Sequence, residues 1–167
     1  MSGGDDRPRV VIIGGGFAGL TAARGLRKAD ADVTLLDRTN HHLFQPLLYQ
    51  VTTSVLSPSD ISSPIRWLLR KQKNTTVLMA EVDRIDVDAR LVIADEGRVS
   101  VAYDYLVIAA GARHAYFGHD EWEPFAPGLK SLEDALTIRH RFLRAFEEAE
   151  KAEDAEEQAG WLHFVIV

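Results

Sequence analysis

The chain contains no cysteine among its 167 residues, and none of its apolar runs has the length that a membrane-spanning helix requires. Without cysteine it can form no disulfide, no thiolate metal site and no redox-active cysteine pair. Basic residues are also few: 19 Lys and Arg stand against 25 Asp and Glu, which leaves a net charge of −6. This balance argues against a nucleic-acid binder and against a polybasic membrane anchor, because both need a basic surplus that faces phosphates.

The N-terminal sequence MSGGDDRPR lacks the apolar core of a signal peptide, so a cytoplasmic location is the default expectation. Residues 1–8 are predicted to form a disordered leader. Hydrophobic residues make up 46% of the chain and charged residues 26%, which is ordinary for a globular protein. The chain is therefore long enough, and apolar enough, to bury one sizeable core.

The most informative segment is RVVIIGGGFAGLTAARGL, which begins at Arg9. Residues 10–13 form a short apolar run of the kind found in the centre of a parallel sheet. Gly14, Gly16 and Gly19 then match the pattern GxGxxG. The first glycine permits a tight turn, the second lets a pyrophosphate approach the backbone, and the third lets a helix pack closely. The helix predicted directly after this turn would direct its N-terminal N–H groups at an anion.

A second apolar strand, residues 33–36, follows this helix and ends at Asp37. An acidic residue about 20 positions beyond the glycines can bind a ribose hydroxyl in a dinucleotide-binding βαβ unit. Strand, glycine turn, helix, strand and carboxylate together predict such a unit. The alternative is a glycine turn in an α/β protein that binds no nucleotide.

The middle of the chain alternates irregular and regular segments. Residues 38–60 are neither periodic nor low in complexity, and a long irregular stretch inside an α/β domain is usually functional. Ser63 and Pro64 are predicted to cap and begin a short helix. Apolar runs separated by turn residues then predict strands, of which the middle three form a small antiparallel meander. These strands are predicted at residues 77–80, 82–87, 91–94, 98–103 and 105–109.

The last part of the chain predicts a helix and a further strand. Ser131 and Asp134 form an S-x-x-D helix start, and apolar residues recur on one face of the helix that follows. The final residues, HFVIV, repeat the apolar character of the first strand. We therefore expect residues 161–167 to be the first strand of a second, missing dinucleotide domain in a larger protein. The alternative is a chain that ends on a paired C-terminal strand.

These segments resemble the N-terminal part of the type II NADH dehydrogenases, single-subunit flavoproteins that act as NADH:quinone oxidoreductases. The resemblance is carried by VVIIGGGFAGL, by YDYLVIAAGA and most specifically by HLFQPLLYQV. It implies a truncated α/β protein of the pyridine nucleotide-disulfide oxidoreductase type. Its Rossmann-like FAD-binding domain would have a parallel sheet with helices on both faces and an inserted antiparallel meander at about residues 82–103. This incomplete domain would span residues 9–130, and a connecting helix would span residues 131–160.

The same resemblance implies which residues hold FAD. Asp37 stands where a glutamate is often found, Arg38 would lie beside the adenosine, and Val82 would contact the adenine largely through its backbone. Small residues at a strand end would pass close to the flavin chain, although simple tight packing is the alternative there. The implied cofactor-binding residues are Gly14, Gly15, Gly16, Phe17, Ala18, Gly19, Asp37, Arg38, Val82, Ala109, Ala110 and Gly111.

The resemblance further implies that the loop of residues 44–51 lies near the isoalloxazine ring and shapes a quinone-side cavity. An ordinary apolar loop is the alternative. The adjacent His41 and His42 lack the acidic or cysteine partners of a metal site, so no metal is predicted. No catalytic acid, base or nucleophile is predicted either, because the cofactor performs the difficult step. The candidate quinone-side residues are Phe44, Gln45, Pro46 and Leu47.

For the intact protein the resemblance implies that electrons pass from NADH through FAD to a membrane quinone. NADH would bind the missing domain, and a missing C-terminal region would bind the cytoplasmic face of the membrane, with a homodimer as one option. No nucleic acid is expected as a partner, and the chain alone is expected to be inactive. The alternatives are a ferredoxin reductase, a sulfide:quinone reductase and a non-catalytic nucleotide-binding module, of which the sulfide enzymes depend on cysteines.

Overall fold

A computed structural model of the protein describes residues 7–166, so the first six residues of the predicted leader lie outside the described residues. The chain divides into two compact units, and each unit is built from two segments of the sequence. The first unit comprises Met1–Leu43 and Ser62–Ala112, and the second comprises Phe44–Ile61 and Arg113–Val167.

All described strands belong to the first unit, together with two of the α-helices. The strands are β1 (Arg9–Ile13), β2 (Asp32–Asp37), β3 (His41–Leu43), β4 (Ser62–Pro64), β5 (Thr75–Met79), β6 (Val82–Asp86), β7 (Leu91–Ala94), β8 (Val99–Ala102) and β9 (Tyr105–Ile108). The α-helices of the whole chain are α1 (Phe17–Gly25), α2 (Leu48–Thr52), α3 (Pro58–Ile61), α4 (Ile65–Leu69), α5 (Leu132–Ala149) and α6 (Ala155–Trp161). Three short 3-10 helices lie at Leu26–Lys28, Gln45–Leu47 and Asp120–Trp122.

The central sheet of the first unit has four parallel strands in the order β5-β2-β1-β9. Strand β1 lies inside the sheet, and its residues from Arg9 to Ile13 pair with β2 from Asp32 to Leu36. The glycine turn therefore leaves the carboxyl end of a central strand, between the carboxyl ends of β2 and β9. Ligands of open parallel sheets bind at this edge, so the topology places the predicted turn where a nucleotide would bind.

Alternate residues of β1 contribute to two separate hydrophobic clusters, because successive side chains of a strand point to opposite faces. Val10 and Ile12 pack with residues of α1 and α4, including Leu20 and Ile65. The opposite face, with Val11, packs with buried meander residues that include Val92, Ala94 and Tyr103. The apolar side of the meander thus contributes to the burial of this face of the sheet.

The predicted antiparallel meander is present as β6-β7-β8. A second antiparallel pair, β3-β4, was not predicted, and it places Ser63 opposite His42. The prediction that Ser63 caps a helix is therefore wrong: Ser63 is a strand residue, and α4 begins at Ile65. Proline disfavours the helical conformation of the residue before it, which explains why Ser63 is extended.

The second unit contains α5, whose predicted start is confirmed by a capping box. The Ser131 hydroxyl accepts from the backbone N–H of Asp134 at 3.1 Å, and the Asp134 carboxylate accepts from the backbone N–H of Ser131 at 2.8 Å. The apolar face of α5 buries Ala135, Ala145 and Ala149. Helix α5 therefore forms the centre of the unit with α2, against which it packs.

The connecting segment differs from the single helix predicted over residues 131–160. Helix α5 ends at Ala149, and Asp154 caps a separate α6 by accepting from the backbone N–H of Glu157 at 2.8 Å. Residues 162–166 form no strand, since Trp161 is still helical and none of the described strands pairs with them. A strand requires a hydrogen-bonded neighbour, so the assignment of residues 161–167 to a second dinucleotide domain stays a prediction. Across residues 7–166, no helix is both long and apolar enough to cross a membrane.

Candidate functional site

The first glycine of the turn is required by the protein backbone itself. Gly14 follows β1, donates its N–H to the carbonyl oxygen of Leu36 at 2.7 Å, and has a φ of +100°. L residues with side chains rarely adopt this φ. A Cβ on Gly14 would also overlap the carbonyl oxygen of Ala109 and lie 3.2 Å from the Cα of Ala110. The end of β9 therefore lies directly against the turn.

The third glycine is required by helix packing. Gly19 is buried in α1, and a Cβ there would overlap the carbonyl oxygen of Gly14. Helix α1 can thus approach the turn only because residue 19 has no side chain. Gly14 and Gly19 have the two structural roles that the GxGxxG pattern assigns to its first and third positions.

At the second glycine, neither backbone conformation nor packing among the described residues requires the absence of a side chain. Gly16 is exposed and caps α1 with φ −69° and ψ −163°, which is extended backbone open to any residue. A Cβ at this position would meet no heavy atom within 4 Å. Phe17 and Ala18 are exposed as well, and the N-cap residue of α1, Gly16, provides no side-chain cap. This surface suits the close approach of an anion that accepts from the first turn of a helix.

Asp37 is positioned by the end of β2 and contacts the turn directly. One carboxylate oxygen, Oδ2, accepts from the backbone N–H of Gly15 at 2.5 Å. The other, Oδ1, accepts from the N–H and the hydroxyl of Thr39, both at 2.7 Å. A carboxylate has about four acceptor positions, so the three hydrogen bonds leave one further position on Asp37. The sequence predicted the ribose role and missed the contact with Gly15.

His42 contacts the same glycine from its carbonyl side. The ring nitrogen Nδ1 lies 3.0 Å from the carbonyl oxygen of Gly15. The ring also meets Phe17 edge-on, with centroids 5.1 Å apart and an angle of 86° between the planes. Sequence reasoning considered His42 only as a metal ligand, and the pairing of β3 with β4 that places its ring was not predicted.

The remaining predicted FAD residues lie at the same end of the sheet or on its surface. The N–H of Ala109 donates to the carbonyl oxygen of Ile13 at 2.8 Å, which extends the β1-β9 pairing to the turn. Gly111 has a φ of +73°, so its glycine is explained by backbone conformation. Val82 begins β6 and is half-buried, whereas Arg38 is exposed. The structure therefore brings the glycine turn, Asp37, Ala109 and Ala110 together.

The candidate quinone-side residues belong to the second unit. Phe44 is 43% exposed, and the amide nitrogen of Gln45 donates to the carbonyl oxygen of Lys130 at 2.9 Å. Pro46 is exposed and Leu47 half-buried, and the next helix anchors the loop through the buried Leu48. Among residues 7–166, no cluster of three or more His, Asp or Glu side chains is arranged to hold a metal ion.

The matched family agrees with this fold and turn. A family model of the pyridine nucleotide-disulphide oxidoreductases matches residues 8–167. The chain therefore belongs to this family, and the predicted fold class, a Rossmann-like parallel sheet with an antiparallel meander, is confirmed.

Within this family, the chain is similar to several quinone oxidoreductases. The chain is 50% identical over 163 residues to the type II NADH:quinone oxidoreductase Ndh of Mycobacterium tuberculosis, covering 96% of this chain and 35% of that protein. NDH2 from Plasmodium falciparum, solved in complex with NADH, is 27% identical with a TM-score of 0.80, over 91% of this chain and 32% of that chain. The sulfide:quinone oxidoreductase of Aquifex aeolicus is 30% identical with a TM-score of 0.76, over 84% and 32%.

The resemblance to type II NADH:quinone oxidoreductases, inferred from the glycine segment and HLFQPLLYQV, is thereby confirmed. The chain spans about a third of the length of the relatives that it matches.

Proposed function

We propose that this chain holds FAD within a type II NADH:quinone oxidoreductase, in which electrons pass from NADH through FAD to a quinone. The observation that carries the proposal is Gly16. Neither backbone conformation nor packing requires a glycine at this position, whereas Gly14 and Gly19 are both explained by the protein. The approach of a pyrophosphate to the backbone would explain it.

The chain's own residues would bind and orient the cofactor. The turn of residues 14–19 and the N-terminal N–H groups of α1 would bind the pyrophosphate, and the remaining acceptor position of Asp37 would bind the ribose. Val82 would contact the adenine through its backbone, with Arg38 beside the adenosine. Ala109 to Gly111 would lie along the flavin chain. When bound, FAD would accept a hydride and release electrons to the acceptor.

The partners are proposed from the relatives. The Mycobacterium relative is named for NADH and quinone, and the Plasmodium structure contains NADH. We propose the same two substrates for the intact protein, with peripheral binding to the cytoplasmic face of the membrane and homodimerisation. The exposed Phe44, with Gln45, Pro46 and Leu47, is proposed to face the quinone.

Sulfide:quinone reduction is the second candidate, because the Aquifex enzyme shares the fold at a TM-score of 0.76. That chemistry uses cysteines, and this chain contains none. The identity of 50% to the Mycobacterium NADH:quinone oxidoreductase, against 30% to the Aquifex enzyme, favours the first candidate.

Titration of the purified chain with FAD tests the proposal. We expect FAD to bind with quenching of flavin fluorescence, and riboflavin to bind far more weakly because it lacks the pyrophosphate. Circular dichroism confirms that the chain is folded. A folded chain with equal affinity for FAD and riboflavin, or with none for FAD, would contradict the proposed site. We also expect no rapid NADH:quinone turnover by the chain alone.

A further inference from the structure

We propose that His42 is a positioning residue that, together with Asp37, holds the pyrophosphate-binding turn in its binding conformation. This inference rests on the proposed FAD function. The two side chains hold Gly15 from opposite sides: Asp37 Oδ2 accepts from its N–H at 2.5 Å, and His42 Nδ1 lies 3.0 Å from its carbonyl oxygen. Gly15 immediately precedes Gly16, so its two peptide groups determine where the Gly16 backbone points.

The contact with Gly15 defines the protonation of the histidine ring. A carbonyl oxygen only accepts, so the hydrogen bond requires the proton on Nδ1 of His42. In the neutral ring Nε2 is then the unprotonated nitrogen. The contact therefore predicts the Nδ1–H tautomer of His42, which can be measured in the absence of FAD.

The ring of His42 is itself held in place. Its residue lies in β3 and pairs with Ser63 in β4. The ring edge contacts Phe17, at a centroid distance of 5.1 Å. The same imidazole thus contacts the residue before Gly16 and the residue after it. Loss of the ring would release the turn on both sides of the exposed glycine.

The partner Asp37 is also fixed. Thr39 donates its N–H and its hydroxyl to Asp37 Oδ1, each at 2.7 Å. A Cβ on Gly15 would overlap the side chain of Ile65, so α4 closes the third side of this residue. A turn that is rigid before the ligand arrives binds more tightly, because less conformational freedom is lost on binding.

Three variants test the positioning role in the 167-residue chain. His42→Ala removes the donor, and we expect the Kd for FAD to rise about 2- to 10-fold, the range for one neutral hydrogen bond. His42→Asn retains an N–H donor at a similar distance from the backbone, and we expect it to recover most of the affinity. His41→Ala is the matched control, because the neighbouring side chain points to the opposite face of the ribbon.

The outcomes separate positioning from general stability. Urea denaturation establishes that each variant is folded under the titration conditions. Affinity for FAD unchanged in His42→Ala would overturn the inference, as would His42→Asn binding no better than His42→Ala. An equal loss in His41→Ala would also overturn it, because the effect would then not be specific to the contact with Gly15.

A measurement without FAD keeps the two proposals distinguishable. Long-range ¹H–¹⁵N NMR correlations in the unliganded chain report which nitrogen of each histidine carries the proton. We expect the Nδ1–H tautomer for His42, and the Nε2–H tautomer would overturn the positioning role. Failure of the wild-type chain to bind FAD, with His42 in the Nδ1–H tautomer, would instead overturn the proposed function and leave the contact with Gly15 in place.

Discussion

Gly16 and Gly25 stand at the two ends of α1, and they form a matched pair for testing ligand approach. A Cβ at either position would meet no heavy atom within 4 Å outside the local helix backbone. Gly16 has a φ of −69° and Gly25 a φ of −60°, both of which suit alanine. Gly16→Ala and Gly25→Ala therefore introduce no clash and no strain, but only the first adds a methyl group at the proposed pyrophosphate site.

The expected effects on stability are small and of known sign. Gly16 is the N-cap of α1, where alanine is disfavoured by about 1 kcal/mol. Alanine also reduces the entropy of the unfolded chain, which stabilises the fold by about 0.4–1 kcal/mol. These terms nearly cancel, so the free energy of unfolding of Gly16→Ala should stay within about 1 kcal/mol of wild type. Gly25→Ala should be stabilised by about 0.5–1 kcal/mol, because glycine is a poor helix residue.

The expected effect on FAD is larger at Gly16. A methyl group between the backbone N–H groups and a pyrophosphate would break at least one hydrogen bond to a charged group, which contributes about 1.5–3 kcal/mol. The Kd should therefore rise about tenfold or more in Gly16→Ala, while Gly25→Ala should bind as wild type does. Fluorescence titration measures the affinity, and urea denaturation followed by circular dichroism measures the stability.

Two results would refute this reasoning. Wild-type affinity in Gly16→Ala would show that no ligand group approaches residue 16. Unfolding of Gly16→Ala would show that the glycine serves the fold, against the open space around it.

The remaining predictions concern stability. Gly19→Ala should lower the midpoint of thermal unfolding, because overpacking against Gly14 should reduce the free energy of unfolding by about 1–3 kcal/mol. An unchanged midpoint would contradict the close approach of α1 to the glycine turn. Hydrogen bonds from Arg9 lower the pKa of Asp104 from 3.8 to about 2. The Asp104 carboxylate therefore stabilises the fold fully above pH 3.8, and this stabilisation is lost as the pH falls towards 2. Asp104→Asn should make the free energy of unfolding less dependent on pH in this range, as measured by denaturation at several pH values. A pH profile identical to that of wild type would contradict a stabilising contact between Arg9 and Asp104. Ser131→Ala should cost about 1 kcal/mol in urea denaturation through loss of the cap, and no loss would show that the capping box is dispensable.

Those parts of the fold that depend on local pattern could be predicted from the sequence. The apolar run before Gly14 and the strand that ends at Asp37 were placed correctly, since each carries its own signal within a few residues. The meander was placed for the same reason, by alternation between turn residues. The S-x-x-D start at Ser131 was also confirmed, because a capping box involves only neighbouring residues.

The ribbon β3-β4 could not be predicted, because its strands have three residues each and no alternation to detect. Their pairing joins His42 to Ser63 across a long loop, and tertiary contact alone creates it. The contact of His42 with Gly15 depends on this ribbon. From the sequence, a metal ligand was the one role considered for His42, whereas in the fold its ring contacts the glycine turn.

The geometry of the four turn glycines adds to what the GxGxxG motif alone indicates. Within the turn, Gly14, Gly15 and Gly19 each lie against neighbouring atoms that a Cβ would overlap. Gly15 is moreover in hydrogen-bond contact through both backbone groups, its N–H with Asp37 and its carbonyl oxygen with His42. Gly16 lies between this residue and the helix with open space before it. An exposed glycine at a helix N-terminus, beside a residue hydrogen-bonded through both backbone groups, suits the approach of a pyrophosphate, which supports the proposed FAD site.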